Sequence, residues 1–273
     1  MAGMRGAPPL YRLLKRTLPP VLMPYFRVTV EGVDRVPTEG PAVIAANHLS
    51  FIDSIVLGAV LPRPLYYLGK ADYWDSPRTR WLVAGVGAVP VHREGGDRGD
   101  ASLRAGVELL GRGQLLGIYP EGTRSPDGRL YRGKTGPVRM ALEAGADVVP
   151  VGIIGSDVAM PQDRRVIRRA PITVRFGAPL DLSRYRDRRE DPLVLRSATD
   201  ELMYEIMRPS GQEYVDESAA HVKSGDVDPD EALSLPPPGT LNALPEWDVA
   251  RRPDETGPFD GDEGEGDGEV YIA

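Results

Sequence analysis

The chain has 273 residues, a formal charge of −7, no cysteine, and three histidines, His48, His92 and His221. The missing thiols exclude disulfides, thiolate metal sites and a cysteine nucleophile, and so few imidazoles argue against a multi-histidine zinc centre. The charge averages two unlike segments: residues 210–273 hold 17 acidic side chains against Lys223, Arg251 and Arg252, whereas residues 1–209 hold 30 basic and 23 acidic ones.

A basic body suits phosphate-bearing substrates or an anionic surface, or is an ordinary solvated exterior. The first predicted element is a helix from Leu10. It sets Leu10, Tyr11, Leu13, Leu14 and Leu18 on one face and Arg12, Lys15 and Arg16 on the other, and Pro19-Pro20 ends it. Such a helix either packs on the domain or lies in a membrane interface. No run of 18 apolar residues occurs, and the N-terminus lacks the features of a secretory signal, so a cytoplasmic protein without a transmembrane helix is expected.

Strands and helices then alternate. Arg27–Glu31 and Ala42–Ala46 read as strands, and Phe51–Leu61 as an apolar helix stopped by Pro62. Leu65–Leu68 reads as a strand, Arg78–Val86 as a helix and Val89–Val91 as extended chain. Ala101–Gly111 is a helix with Leu103, Val107 and Leu110 on one face, followed by a strand at Leu115–Tyr119. Pro137–Glu143, Val148–Ile154, Ile172–Phe176 and Leu193–Met207 continue as helix, strand, strand and helix. This alternation predicts an α/β fold with a mixed, largely parallel sheet flanked by helices. After Pro209, Gly, Pro and acidic residues dominate, and a disordered tail is expected. The organisation is an N-terminal segment 1–27, a domain 28–209 and an acidic tail 210–273.

Two runs carry chemistry. In Asn47-His48-Leu49-Ser50-Phe51-Ile52-Asp53, imidazole and carboxylate are five residues apart. Positions five apart do not share a helical face, so they meet only if His48 precedes the helix, in the turn leaving strand Ala42–Ala46. Ser50 is an N-cap candidate that sets Asp53 in the first turn. Asp53 then orients a general base, or Ser50 and Asp53 form only a capping box. The second run, Tyr119-Pro120-Glu121-Gly122-Thr123-Arg124-Ser125, follows a strand directly. Gly122 permits a tight turn with exposed N–H groups, Arg124 offers a fork for phosphate oxygens, and Thr123 and Ser125 add hydroxyls. A third run, Gly128 to Thr135, satisfies the G-x-x-x-x-G-K-[ST] phosphate-loop spacing. It does not leave a strand directly, and Leu130 and Tyr131 are bulky for a phosphate wrap. A P-loop NTPase therefore stays a remote alternative.

Over residues 10 to 207 the chain resembles the 1-acylglycerol-3-phosphate O-acyltransferases and related glycerolipid acyltransferases. Asn47-His48 with Asp53 looks like the first family motif, Pro90-Val91-His92-Arg93 the second, Tyr119–Ser125 the third, with Tyr119 where phenylalanine is usual, and Val148–Val151 the fourth. The resemblance implies His48 and Asp53 as catalytic residues. It implies Arg93, Glu121, Gly122, Thr123 and Arg124 at the acceptor, with Glu121 orienting the acceptor or Arg124. Asn47, His92, Ser125 and Lys134 are secondary candidates. It also implies a lysophospholipid acceptor, an acyl-CoA or acyl carrier protein donor, no metal or cofactor, no nucleic acid, and a peripheral position on the inner face of the cell membrane. A lysolipid other than lysophosphatidic acid, glycerol 3-phosphate or a glycolipid hydroxyl stays open as acceptor.

Overall fold

The computed structural model describes residues 9–70, 87–91, 98–162 and 166–237, with positions 7 and 83. The expected helix Arg78–Val86 lies outside these residues except at Val83, and the second motif's His92 and Arg93 lie wholly outside. So does the acidic tail from 238 onward.

Seven strands form the main sheet. In chain order they are β1 (Thr29–Glu31), β2 (Ala42–Ala46), β3 (Leu65–Lys70), β4 (Ala88–Val91), β5 (Leu115–Ile118), β7 (Asp147–Ile154) and β8 (Thr173–Phe176). Their spatial order is β1-β8-β7-β2-β5-β3-β4. All neighbours are parallel except β7 and β8. The sheet is therefore mixed and mostly parallel.

β2 shows why the centre is apolar throughout. Its residues alternate faces, with Ala42, Ile44 and Ala46 in one core and Val43 and Ala45 in the other. The first core includes Val56 and Leu57 of helix α3 (Ile52–Val60). The second includes Leu103 and Leu110 of α4 (Arg98–Gly111), Val138 and Ala141 of α5 (Gly136–Ala144), and Leu202 and Ile206 of α7 (Pro192–Ser210). A four-residue helix, α6 (Ser156–Ala159), follows β7.

The N-terminal helix α1 (Pro9–Thr17) packs on the domain. Tyr11 is buried, and its hydroxyl accepts from the Leu65 N–H at 3.0 Å. Lys15 also turns inward and donates to the carbonyls of Gly58 at 2.5 Å, Ala59 at 2.9 Å and Leu61, an ammonium on the open end of α3. Burial lowers its pKa to about 8. The expected partition of faces is thus corrected: Lys15 faces in, and Leu13 stands 58% exposed. Pro19-Pro20 ends α1 and also starts a second helix, α2 (Pro19–Tyr25), because proline suits a first turn that needs no N–H.

The ordered chain continues past residue 209, the expected end of the domain. Tyr214–Val215 (β9) pairs in parallel with Leu130–Tyr131 (β6) and antiparallel with Ser234–Leu235 (β10). Helix α8 (Ala219–Ser224) lies between β9 and β10 in sequence. Strands of two residues carry no periodicity, so composition alone placed this segment in the tail.

Candidate active site

β2 and β5 are neighbouring parallel strands, so the loops after them leave the same edge of the sheet. Open α/β sheets hold ligands at that edge. The loop after β2 carries His48, and the loop after β5 carries Glu121 to Ser125.

The loops are hydrogen-bonded to each other through the main chain of His48. Its N–H donates to Glu121 Oε1 at 3.0 Å, and its carbonyl accepts from the Ser125 N–H at 2.7 Å. Asn47 fixes the loop from the other side: its amide donates to the Ile153 carbonyl at 2.9 Å and accepts from the Ile153 N–H at 2.7 Å. Asn47 is fully buried and spends its side chain on β7.

His48 Nδ1 lies 2.8 Å from Asp53 Oδ2. The same carboxylate oxygen accepts the N–H groups of Leu49 and Ser50, each at 2.8 Å. Asp53 is fully buried at the start of α3. Its acceptor role sets Nδ1 as the protonated nitrogen and leaves the Nε2 lone pair available. Nε2 has no hydrogen-bond partner among the described residues. Ser50 does not cap the helix with its side chain. Its hydroxyl donates to the Met160 carbonyl at 2.6 Å, and Asp53 reaches back to the two N–H groups ahead of the helix.

The imidazole stacks on Tyr119, with centroids 3.8 Å apart and planes 10° apart. Tyr119 stacks in turn on Tyr67 at 6.0 Å. Gly117 makes room for this column, because a Cβ there would stand 2.4 Å from the Tyr67 ring. The Tyr119 hydroxyl shares a 2.8 Å hydrogen bond with Ser54 Oγ, and burial raises its pKa well above the usual value. Sequence reasoning assigned Tyr119 no role beyond its departure from phenylalanine; its place directly before Pro120-Glu121 was the available signal.

Glu121 faces inward. Oε1 takes the His48 N–H, and Oε2 takes the Tyr131 N–H at 3.1 Å. Burial pushes its pKa up to about 8 against these two donors. It therefore braces the loop that carries His48, where the sequence had suggested contact with the acceptor or Arg124. Ser125 is also buried; its Oγ accepts from the Gly128 N–H at 2.9 Å.

The outward side of the turn is cationic. Gly122 has φ +74°, and a Cβ there would come within 2.8 Å of Lys134 Nζ, so glycine both allows the turn and makes room for that amine. Thr123 Oγ1 accepts from Lys223 Nζ at 3.1 Å. Arg124 lies close enough to Lys223 to lower its pKa, after burial. Lys223 was missed as a site residue because it sits in the segment assigned to the tail. Arg124, Lys134 and Lys223 make no ion pair among the described residues.

The phosphate-loop reading of residues 128–135 fails on the structure. Leu130 and Tyr131 are a fully buried strand paired with β9. The Leu130 N–H goes to the Glu213 carbonyl and the Tyr131 N–H to Glu121, so neither is free to face a phosphate.

These features define a class: an α/β domain with a carboxylate-oriented imidazole at the carboxyl edge of its sheet, beside a cation-rimmed turn. Residues 27–154 match the family model described as Acyltransferase. It is 33% identical over 141 residues to a chloroplastic 1-acyl-sn-glycerol-3-phosphate acyltransferase of Arabidopsis thaliana, covering 51% of this chain and 39% of that one. It is 37% identical over 130 residues to the lyso-ornithine lipid O-acyltransferase of Pseudomonas aeruginosa, covering 47% of each. The chain thus spans less than half the length of these two relatives. The fold is similar to the crystal structure of the 1-acyl-sn-glycerophosphate acyltransferase from Thermotoga maritima, with a TM-score of 0.51 and 22% identity, covering 70% of this chain and 82% of that one.

Proposed function

We propose that this protein moves a fatty acyl group from an acyl thioester, acyl-CoA or acyl carrier protein, to the free hydroxyl of 1-acylglycerol 3-phosphate, giving phosphatidic acid. The observation that carries the reading is the 2.8 Å contact between His48 Nδ1 and Asp53 Oδ2, which leaves Nε2 as a base.

An alcohol is a weak nucleophile at neutral pH. As its oxygen bonds to the thioester carbonyl carbon, Nε2 takes its proton. The carbon–sulfur bond then breaks, and the departing sulfur takes the proton from Nε2, which restores the neutral imidazole. Asp53 stabilises the imidazolium, in the logic of a catalytic triad whose serine is replaced by the substrate hydroxyl. Tyr119 fixes the plane of the ring. Arg124 and Lys134 hold the acceptor phosphate and align the hydroxyl, which lowers the entropic cost of the encounter.

An acceptor with a long acyl chain and a diacyl product suit a reaction at a bilayer surface. No helix among the described residues is long and apolar enough to cross a membrane. The first two helices expose Leu13, Val21 and Tyr25 beside Arg12 and Arg16, a surface suited to peripheral docking on anionic lipid.

A second reading, a lyso-ornithine lipid as acceptor, draws on the 37% identity to the Pseudomonas aeruginosa enzyme. The cationic turn favours a phosphomonoester. The test is an acceptor screen with one acyl-CoA, scored by product mass. Phosphatidic acid as the main product supports the proposal. Acylation of lyso-ornithine lipid alone moves the assignment to the second reading, and thioester hydrolysis with no acylated acceptor ends both.

A further inference from the structure

Residues 211–237 lie beyond the residues that match the family model, yet they are fastened to the loop between Glu121 and Lys134. The Gln212 side chain donates to the Gly128 carbonyl at 2.6 Å, the Arg132 N–H to the Glu217 carbonyl at 2.9 Å, and Arg129 pairs with Asp230 at 2.9 Å. β9 adds its ladder to β6. This clamp sets α8 beside the turn, and Lys223 extends from it to Thr123 Oγ1 at 3.1 Å and Gln162 Oε1 at 3.4 Å.

Both hydrogen-bond partners of Lys223 are neutral, and two charged groups act on it, the Arg124 guanidinium, which opposes its charge, and the Glu121 carboxyl, which favours it. Glu121 is buried and spends its two oxygens on the His48 and Tyr131 N–H groups, so the ammonium beside the guanidinium hydrogen-bonds only to neutral acceptors and can take an added anion. Gln162 is itself pinned, because its amide nitrogen donates to the Ser125 carbonyl. The amine of this exposed side chain is thus held over the turn by two acceptors.

We propose that Lys223 is a substrate-binding residue, supplied by the C-terminal segment, that completes the cradle for the acceptor's phosphomonoester with Arg124 and Lys134. The inference rests on the reading of this site as an acyltransferase and deepens it. Lys223 makes the site select a phosphate-bearing lysolipid over one that lacks the phosphate. A dianionic headgroup gains from each added cation, whereas a neutral headgroup gains nothing and leaves the three cations facing one another.

The test compares wild type, Lys223→Met and Lys223→Arg in the full chain. Two acceptors are used, 1-acylglycerol 3-phosphate and 1-acylglycerol, and glycerol 3-phosphate binding is measured by calorimetry without turnover. The ratio of kcat/KM for the phosphorylated over the unphosphorylated acceptor should fall about tenfold in Lys223→Met and return to within about threefold of wild type in Lys223→Arg. Affinity for glycerol 3-phosphate should fall in parallel. An equal loss for both acceptors would mean that Lys223 only props the loop, and an unaltered ratio would mean that it contacts no phosphate; either result overturns the inference. Should wild type acylate neither acceptor yet bind glycerol 3-phosphate through Lys223, the acyltransferase reading falls and the phosphate site stands.

Discussion

Replacing Asp53 by asparagine separates the charge of this carboxylate from its geometry. Oδ2 receives three N–H donors, from His48, Leu49 and Ser50, all at 2.8 Å. An asparagine must turn its carbonyl oxygen toward them, because its NH2 would oppose all three. The imidazole then keeps its tautomer and orientation, and only the negative charge is lost. Two unit charges about 4 Å apart at an effective dielectric of about 20 interact by roughly 4 kcal/mol. Each ~1.4 kcal/mol is tenfold in rate, so with part of the field replaced by the amide dipole kcat should fall by about 10²–10³. The effect belongs in kcat, because the imidazolium exists only as the transition state forms. The amide NH2 would occupy the place of Oδ1, which is buried without a partner, so folding stability should drop by about 1–3 kcal/mol. Thiol release from acyl-CoA reports turnover, and a chain without cysteine adds no background to a thiol reagent. A thermal melt confirms that the variant is folded. A folded Asp53→Asn protein with kcat within threefold of wild type would refute the charge argument.

Glu121 makes stability depend on pH. Its carboxyl is held at about 8 in the folded chain against an ordinary 4.5. Between those values the unfolded chain releases the proton and the folded chain keeps it, so stability falls as pH rises through this window and levels off above about 8. Urea melts at pH 5.5 and 8.5 should differ by up to roughly 3 kcal/mol more in wild type than in Glu121→Gln; equal pH slopes would count against it. Tyr119→Phe keeps the stacked ring and loses the bond to Ser54, so it should cost about 0.5–1.5 kcal/mol of stability with kcat within threefold, whereas Tyr119→Ala should lower kcat by more than tenfold; equal kcat values in the two variants would remove the ring from the mechanism. Deletion from Gly239 removes ten acidic side chains while sparing β9, α8 and β10, and should raise partition onto anionic vesicles; an unaltered partition coefficient would deny the tail a screening role.

The central strands were legible because a sheet covered on both faces must be written as short apolar runs: Ala42–Ala46, Leu115–Ile118 and Val148–Ile154 have few other readings. His48 and Asp53 were legible because a histidine five residues ahead of a first-turn aspartate meets it only across a strand-to-helix turn. Contacts that depend on long-range packing were not legible. The stack of His48 on Tyr119 joins residues 71 positions apart in the chain, and nothing local specifies it. Lys223 was hidden by composition: seven acidic residues within 210–237 look like solvated tail, although Tyr214 and Val215 pair with a buried strand. Lys15 was read by amphipathicity alone, whereas the carbonyls at the end of α3 capture its ammonium.

The central claim is that the His48 imidazole, poised by Asp53, takes the proton of an acceptor hydroxyl during acyl transfer. Its most direct test is the turnover of purified His48→Ala with 1-acylglycerol 3-phosphate and acyl-CoA, with thiol and acylated lipid counted in the same reaction. Wild type should release one thiol per phosphatidic acid and only in the presence of acceptor, and the variant should be slower by ~10²–10⁴. Wild-type turnover in a folded His48→Ala protein, or thiol release that ignores the acceptor, would contradict it.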